Sequence, residues 1–231
     1  IVLRRHGGPI LDYQSVIHKI ESREKIASVV PFVDTQAMLR TAAGMSGAVL
    51  RGLDPGYEGT RIMGMSAGEV KRKLIAEDIN GQGVRVPAII LGKNLARSLA
   101  VKPGDVLYLI SPRGMMSPVG HIPAMKRFKV TGVFQSGFYE YDASLAYIHI
   151  EAAQELLKIG RAVTGIGIRV TDIYQADDIA SGISNNLAYP FWTMDWMEMN
   201  RNFFSALKLE KAAMFVILTL IILVAAFNIA S

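Results

Sequence analysis

The spacing of apolar residues predicts alternating helices and strands at both ends of the first 195 residues. Helical spacing marks three segments: 13–20, 151–158 and 176–187. Asp12 is a favourable N-cap residue for the first of them, and Gly160 is well placed to end the second. Strand-like apolar runs occur at 26–33, 147–150, 166–170 and 191–193. We therefore expect one α/β subdomain that combines residues 1–34 with residues 140–195.

The central part of the chain is richer in strands and turns. Apolar runs predict strands at 35–39, 48–52, 88–91, 106–110 and 126–134, and a helix at 93–99. We assign residues 35–139 to an inserted, strand-rich subdomain, so the predicted fold class is α+β with two subdomains. Pro31 interrupts the earlier run at 26–33, which predicts that this strand lies at a sheet edge or ends there.

The chain ends in an uncharged segment. Residues 212–231 contain no Asp, Glu, Lys or Arg, and Thr219 is the single polar residue before Asn228. A membrane-spanning helix needs about 20 apolar residues, so this segment predicts a partial transmembrane helix. A buried core helix is the alternative, although apolar residues face every direction here. Because the chain starts with Ile1 and stops inside this run, we expect it to be part of a longer polypeptide.

An amphipathic segment at 196–211 precedes the apolar end. Four apolar residues recur three or four positions apart: Trp196, Met199, Phe203 and Leu207. Neither Gly nor Pro occurs from 196 to 231, which predicts one continuous helix. We interpret 196–211 as a stalk helix and 212–231 as the start of a membrane span. A stalk joined rigidly to a folded domain can transmit movement.

Composition and charge exclude several classes of protein. The 231 residues include 25 Lys+Arg and 20 Asp+Glu, for a net charge of +5, and no cysteine. Disulfides and Cys-ligated metals are therefore excluded. The densest basic group, 71–73, lies beside Glu69 and is typical of a solvated helix face. We expect no nucleic-acid partner.

Short motifs offer little evidence for catalysis. Residues 64–68 match the G-x-S-x-G pattern around Ser66, but a convincing strand before them is missing. The four histidines are His6, His18, His121 and His149, and their spacing is not that of a metal site. We predict no catalytic residue, no metal ligand and no nucleotide site. An esterase with Ser66 as nucleophile remains an alternative.

A proline-rich insertion separates the strands predicted at 106–110 and 126–134. It contains Pro112, Pro118 and Pro123, and its apolar residues are Met115, Met116, Val119 and Ile122. Long ordered loops often serve recognition, and Met side chains suit adaptable hydrophobic contacts. A loop folded onto its own domain explains the composition equally well.

Four segments of the sequence resemble the LolC/LolE-type permeases, which belong to the ABC transporters that release lipoproteins from the bacterial inner membrane. The segments read VPFVDTQAMLRTAAGMSGAVLRGLDP, PAIILGKNLARSLAVKPGDVLYLISP, SPVGHIPAMKRFKVTGVF and NRNFFSALKLEKAAMFVILTLIILVAAFNIAS. The resemblance covers essentially the whole chain. The resemblance implies a MacB-like periplasmic core domain between two transmembrane helices, with its α/β subdomain built from both chain ends.

The resemblance also implies a docking site for a soluble carrier. In the LolC branch a protruding hook recruits the carrier, and the hook maps onto residues 112–123. Its predicted members are Pro112, Met115, Met116, Ser117, Pro118, Val119, Gly120, His121, Ile122 and Pro123. An adjacent contact pad would comprise Tyr108, Met125 and Lys126. Tyr108 and Met125 depart from the basic or polar residues of LolC-like members, whereas the hook itself favours a LolC or combined single-permease type.

The implied mechanism is mechanical rather than catalytic. This chain would be a non-catalytic permease subunit without a cofactor, since ATP and Mg²⁺ would bind to a separate cytoplasmic ATPase subunit. Its other partners would be the inner membrane, a second permease subunit (a paralogue or an identical copy), lipoprotein substrates and a periplasmic carrier of the LolA type. The alternative is a related MacB/FtsX-type mechanotransmitting protein that serves efflux or controls a cell-wall hydrolase.

Overall fold

The structure is a computed structural model that describes residues 1–76, 78–79, 85–117 and 120–230, with the backbone alone at 78–79, 112–117, 120–124 and 230. The described strands are β1 (Val2–Arg5), β2 (Ile26–Arg40), β3 (Met45–Leu53), β4 (Asp78–Ile79), β5 (Arg85–Val86), β6 (Ala88–Gly92), β7 (Val106–Ser117), β8 (Gly120–Phe134), β9 (Leu145–His149), β10 (Gly165–Val170) and β11 (Phe191–Met194). The described helices are α1 (Tyr13–Glu21), α2 (Ala67–Ile75), α3 (Lys93–Ser98), α4 (Tyr139–Ser144), α5 (Ile150–Leu157), α6 (Ala176–Leu187), α7 (Trp196–Met199) and α8 (Arg201–Ala230), with a single 3-10 turn at Ile173–Gln175.

Strand β2 joins the two parts of the main sheet. Nine strands follow the order β11-β1-β10-β2-β3-β9-β6-β8-β7, and β2 also pairs with β7. The first part of β2 pairs with β10 from Ile26 to Phe32, and the remainder pairs with β3 from Phe32 to Arg40. Its last three residues also pair with β7, where Met38 lies opposite Ile110. The strands β2, β3, β9, β6, β8 and β7 therefore form a closed six-stranded ring.

The expectation that Pro31 marks an edge strand is wrong. Strand β2 lies inside the sheet, and the runs 26–33 and 35–39 form one strand rather than two. Pro31 lies opposite Ile166 of β10, whereas the ladder with β3 begins only at Phe32. Pro31 comes before the first residue of β2 that pairs with β3, so its missing N–H costs no hydrogen bond to β3.

The sheet presents two different faces over β1, β10, β2 and β3, because side chains alternate along each strand. One face packs against α1, α5 and α6 and holds the larger core, with Leu3, Val33 and Leu50 fully buried. A smaller core on the other face lies beneath α2 and includes Phe32, Leu53, Ile62, Val70, Leu74 and Tyr147. This second face remains accessible over β1 and β10, and we call that part the open face.

The predicted subdomain boundaries divide a continuous sheet. Strand β2 crosses the boundary between residues 34 and 35, and β9 lies in the six-stranded ring although it comes from the segment 140–195. The division into two subdomains, one formed by 1–34 and 140–195 and the other by 35–139, therefore stays a prediction.

The C-terminal segment consists of two helices, so the expectation of one continuous helix from Trp196 is wrong. Helix α7 ends at Met199, and Asn200 adopts φ −110° and ψ 28° before α8 begins. The Asn200 side-chain amide donates a hydrogen bond to the Trp196 carbonyl (2.7 Å), which favours this local break. Residues Arg201–Ile229 are long and apolar enough to cross a membrane, and none of their most apolar window is buried, which contradicts the core-helix alternative.

Gly52 sets how closely α5 approaches β3. A Cβ at this position would lie 2.5 Å from the Cβ of Ala153 and 3.2 Å from the Cα of Ile150, both in α5. Only a residue without a side chain fits there without moving the helix. Its neighbours Leu50 and Leu53 belong to the larger and the smaller core, respectively, so this strand holds both cores in place.

We expect Gly52→Ala to lower the free energy of unfolding by about 1–3 kcal/mol, the usual cost of overpacking. Gly47→Ala on the same strand is the matched control, because a Cβ there meets nothing within 4 Å. Urea denaturation of the chain in detergent micelles measures both variants. Equal stabilities for the two variants would contradict the close packing of α5 on Gly52.

Candidate functional site

The β7–β8 hairpin extends beyond the six-stranded ring. Strand β7 pairs with β2 up to Ile110, and β8 pairs with β6 from Lys129 onwards. Between these limits the described parts of β7 and β8 pair only with each other, as far as Ser117 opposite Gly120. Residues 112–117, at about 3.3 Å each, give a projection of about 20 Å. The insertion expected as a long ordered loop thus has the backbone of a two-stranded projection where the structure describes it.

The predicted hook residues lie on this projection where the structure describes them. Four lie in β7 and four in β8: Pro112, Met115, Met116, Ser117, Gly120, His121, Ile122 and Pro123. Pro118 and Val119 lie outside the described residues. The register shifts between Ser111 and Met115, as expected for a bulge beside a proline, which cannot donate to the ladder.

The predicted pad is divided between two faces of the hairpin. Tyr108 lies opposite Arg127, and Met125 lies opposite Ile110, so Tyr108 and Met125 share the outer face. Both are exposed, at 41% and 54% of their surface. Lys126 lies opposite the buried Leu109 on the other face, and its ammonium forms an ion pair with Glu155 of α5. Tyr108 and Met125 can thus contact a binding partner together, whereas Lys126 is already paired with Glu155.

The outer face continues onto β2 through residues that the sequence analysis did not identify. Met38 lies opposite Ile110 and Arg40 opposite Tyr108, because β2 pairs with β7. Met38 is 45% exposed. We call Met38, Tyr108, Ile110 and Met125 the apolar patch; Arg40 and Arg127 lie beside it. No local signal in the sequence indicates the β2–β7 pairing that assembles this patch.

An ion-pair cluster occupies the open face. Arg51 donates to both Asp34 carboxylate oxygens (Nε 2.8 Å, terminal nitrogen 3.0 Å), and Arg4 donates to one of them (3.1 Å). Both guanidinium groups also lie over the Phe32 ring, at 4.9 Å and 5.6 Å from its centroid. The Thr164 hydroxyl accepts a hydrogen bond from the Asp34 amide (2.7 Å). These contacts tie β1, β2 and β3 together across the sheet.

Burial and charge affect ionisation in this cluster. Burial lowers the pKa of the Arg51 guanidinium, but its hydrogen bonds and charge attraction to Asp34 outweigh that effect and raise the pKa on balance. Burial also raises the pKa of the Tyr147 phenol, and the nearby charge of Arg51 opposes this rise. Arg51 is therefore fully charged and Tyr147 neutral at physiological pH.

Trp196 connects the stalk to the soluble body. Its indole N–H donates to the Ile173 carbonyl (3.1 Å), and its ring lies 5.3 Å from that of Phe204 in α8. The Asp195 carboxylate accepts a hydrogen bond from the Glu198 amide (2.6 Å) and caps α7. The break at Asn200 is therefore bridged by side-chain contacts, which join the head of α8 to the 3-10 turn that follows β10.

Ser66, the centre of the G-x-S-x-G pattern, has a structural role. Its hydroxyl accepts a hydrogen bond from the Glu69 amide (3.3 Å) and caps α2. Among the described residues, no group of three His, Asp or Glu side chains is arranged to hold a metal ion.

Comparison with curated proteins shows similarity along almost the whole chain. The chain is 35% identical over 224 residues to "Lipoprotein-releasing system transmembrane protein LolC" of Neisseria meningitidis serogroup B, covering 95% of this chain and 52% of that protein. It is 32% identical over 225 residues to the protein of the same name from Xylella fastidiosa strain Temecula1, covering 97% and 52%. The chain thus spans about half the length of these relatives. The resemblance to LolC/LolE-type permeases is confirmed, although no family profile matches.

The fold is similar to that of a solved periplasmic region. The periplasmic region of MacB from Actinobacillus actinomycetemcomitans superposes with a TM-score of 0.51 at 12% identity, covering 87% of this chain and 91% of that one. At this identity the likeness concerns the fold alone. The expected fold class, a MacB-like α+β domain followed by an apolar helix, is confirmed.

We expect Asp34→Asn to destabilise the chain by about 1–3 kcal/mol, because two arginines lose their charged hydrogen-bond acceptor. Glu69→Gln is the control, since it removes the carboxylate of a single, partly exposed surface pair with Lys73, whereas Asp34 is more buried and serves two arginines. The control should therefore have a smaller effect. Chemical denaturation in detergent micelles compares the two. Equal losses would show that the cluster contributes no more than a surface pair.

Proposed function

From this LolC-type sequence and MacB-like fold, we propose that the chain is the periplasmic part of a permease subunit in an ABC transporter that extracts lipoproteins from the inner membrane. A soluble periplasmic carrier of the LolA type would receive the lipoprotein. The carrier would dock on the β7–β8 projection, which we continue to call the hook, and on the adjoining apolar patch. The chain would supply binding surfaces and movement rather than catalysis.

The observation that carries this proposal is the projecting hairpin. Strands β7 and β8 leave the six-stranded ring and continue together to Ser117 and Gly120. A two-stranded projection rooted in a closed ring presents recognition residues away from the body while its base stays fixed. Prolines along it lower the conformational entropy lost on binding, since their backbone is already restricted.

The chemistry of the patch suits a carrier that itself binds lipid. Three of its members, Met38, Tyr108 and Met125, expose between 41% and 54% of their surface. Met side chains adapt to irregular apolar surfaces, and Tyr supplies a large contact area with few rotatable bonds. We therefore propose that the pad comprises Met38, Tyr108 and Met125, with Lys126 held aside by Glu155.

The C-terminal helix supports a mechanical role. Helix α8 extends from the soluble body into a segment able to cross a membrane, and Trp196 links its head to the sheet. In the proposed transporter, a separate cytoplasmic ATPase would bind ATP and Mg²⁺ and move the membrane helices. A second permease subunit, identical or paralogous, would complete the path for the lipoprotein. Movement of α8 would then reach the periplasmic domain through Trp196 and Phe204.

A related mechanotransmitting protein for efflux or cell-wall hydrolase control is the other candidate. The MacB-like fold is compatible with both functions, so the fold does not decide between them. The sequence similarity to LolC-named proteins extends through the hairpin and favours the lipoprotein system.

We expect the double variant Pro118→Glu with Val119→Glu to weaken carrier binding at least about tenfold, because two carboxylates would have to be desolvated at the contact. Biolayer interferometry with immobilised LolA-type carrier measures the affinity. The control places the same two carboxylates at Leu11 and Tyr174, which are 74% and 85% exposed and lie outside the hairpin. Wild-type affinity in the hook variant would contradict the hook assignment.

We expect Met38→Glu to weaken carrier binding although Met38 lies far from the hook in sequence, because the β2–β7 ladder places it beside Tyr108 and Met125. Met63→Glu is the matched control, since Met63 is 50% exposed and outside the patch. The same interferometry assay applies. If both variants bind as wild type does, the patch does not contact the carrier.

A further inference from the structure

A cavity of about 410 Å³ lies on the open face of the sheet, beside the head of α8. Strands β1, β10, β2 and β3 form its floor, and Ile173 and Trp196 line it on the side of α8. Its apolar floor residues include Val2, Val30 and Phe32. None of its described lining residues belongs to the hook or the apolar patch, so we treat it as separate from the proposed carrier site.

The cavity carries an excess of positive charge. Arg51, Arg61 and Arg169 line it, and none of its described lining residues is acidic. Arg51 is bound to Asp34, whereas the side chains of Arg61 and Arg169 are exposed and form no ion pair or hydrogen bond with any described residue. Arg61 and Arg169 also line an adjoining groove together with Glu21 and Glu58. Neither carboxylate of that groove lies within ion-pair distance of the two guanidinium groups. Two guanidinium groups are therefore available to a ligand.

The lining residues define the chemistry of that ligand. Guanidinium groups bind carboxylates and phosphates through paired hydrogen bonds, and these charge-assisted bonds are stronger than neutral ones. The apolar floor and the Trp196 ring suit a ligand that also has apolar atoms. An acidic polypeptide segment and an anionic lipid both have this character.

The length of the stalk favours the polypeptide. Trp196 lines the cavity and contacts Phe204, which lies seven residues before Lys211, the last charged residue. Seven helical residues rise about 10 Å, so the cavity begins about 10 Å above the apolar segment. Lipid headgroups extend only about 5–7 Å beyond the hydrocarbon core on each side. An extended chain covers 10 Å with three or four residues.

The geometry points to a binding site for an acidic segment of the lipoprotein itself, a few residues after its lipid anchor. This inference rests on the proposed function, because it takes the ligand to be a lipid-anchored polypeptide. Arg61 and Arg169 bind the carboxylates, and Trp196 and Val30 contact the intervening apolar atoms. The cavity thereby holds the extended segment that leaves the membrane beside α8, and it favours lipoproteins with acidic residues there.

Three synthetic lipopeptides in neutral detergent micelles test this inference on the whole chain. All carry a diacylated first residue; one has Asp-Glu-Asp-Glu at its third to sixth residues, the second has Asn-Gln-Asn-Gln there, and the third has the acidic residues ten positions further along. Fluorescence anisotropy measures binding without a carrier or an ATPase. We expect the first peptide to bind about tenfold more tightly than the other two.

Charge-reversal variants locate the effect. Arg61→Glu with Arg169→Glu should abolish the preference for the first peptide, whereas Arg72→Glu with Arg161→Glu, which changes the net charge equally at exposed sites elsewhere, should retain it. Equal binding of the peptides, no binding of any of them, or a preference that survives in the cavity variant would overturn the inference. So would a loss of equal size in the control variant, which would indicate unspecific charge attraction.

Two further measurements separate this inference from its alternatives. If the cavity variant loses a preference for phosphatidylglycerol over phosphatidylcholine vesicles but keeps the peptide preference, the cavity binds lipid and the inference fails. Carrier affinity, measured on the same variants, reports on the proposed function independently. Normal carrier binding with no peptide preference would overturn the acidic-segment site alone.

Discussion

The pairing of β2 with three other strands holds the soluble body together. Its first part joins β10, its second part joins β3, and its final residues close the ring against β7. Because one strand belongs to both the open sheet and the ring, the ring cannot turn freely relative to the sheet. The hairpin at one end and the stalk at the other are thus attached to the same strand network. The contacts of Trp196 with Phe204 and Ile173, followed by the ladders from β10 through β2 to β7, connect α8 to the hairpin.

The same constraint explains where exposed apolar residues can be tolerated. Ring closure pairs β7 on both sides up to Ile110, so Tyr108 can remain exposed on a strand without a free edge. Met125 lies on β8 before its ladder with β6 begins at Lys129. Lys126 lies on the opposite face and is attracted to Glu155 of α5, which connects the base of the hairpin to a core helix. A rigid base of this kind suits a surface that must bind a partner repeatedly.

Much of the fold follows from local sequence patterns, and the parts that do not are long-range. Asp12 caps α1, and the expected strands and helices of the soluble body are present, since these features depend on neighbours in sequence. The exceptions are β2, which joins two expected strands, and β7 and β8, which extend six or seven residues further into the hairpin. The edge-strand prediction from Pro31 was wrong because a proline is tolerated inside a sheet where the neighbouring ladder has not yet begun. The prediction of one continuous helix was wrong because a side-chain hydrogen bond of Asn200 interrupts the helical pattern. The contribution of Met38 to the patch depends on ring closure, which no spacing rule within one strand could reveal. The separation of Lys126 from Met125 follows from strand alternation, but only once β8 is known to extend back to residue 120.

In the proposed transporter, a soluble carrier docks on the hook and the apolar patch. The most direct measurement is photo-crosslinking in intact membranes, with a photoreactive amino acid placed in turn at positions 119, 125 and 63 of the full-length protein. Docking on this surface should give carrier adducts from 119 and 125 and none from 63. Adducts from 63 alone, or none from 119 and 125 while the transporter remains active, would contradict it.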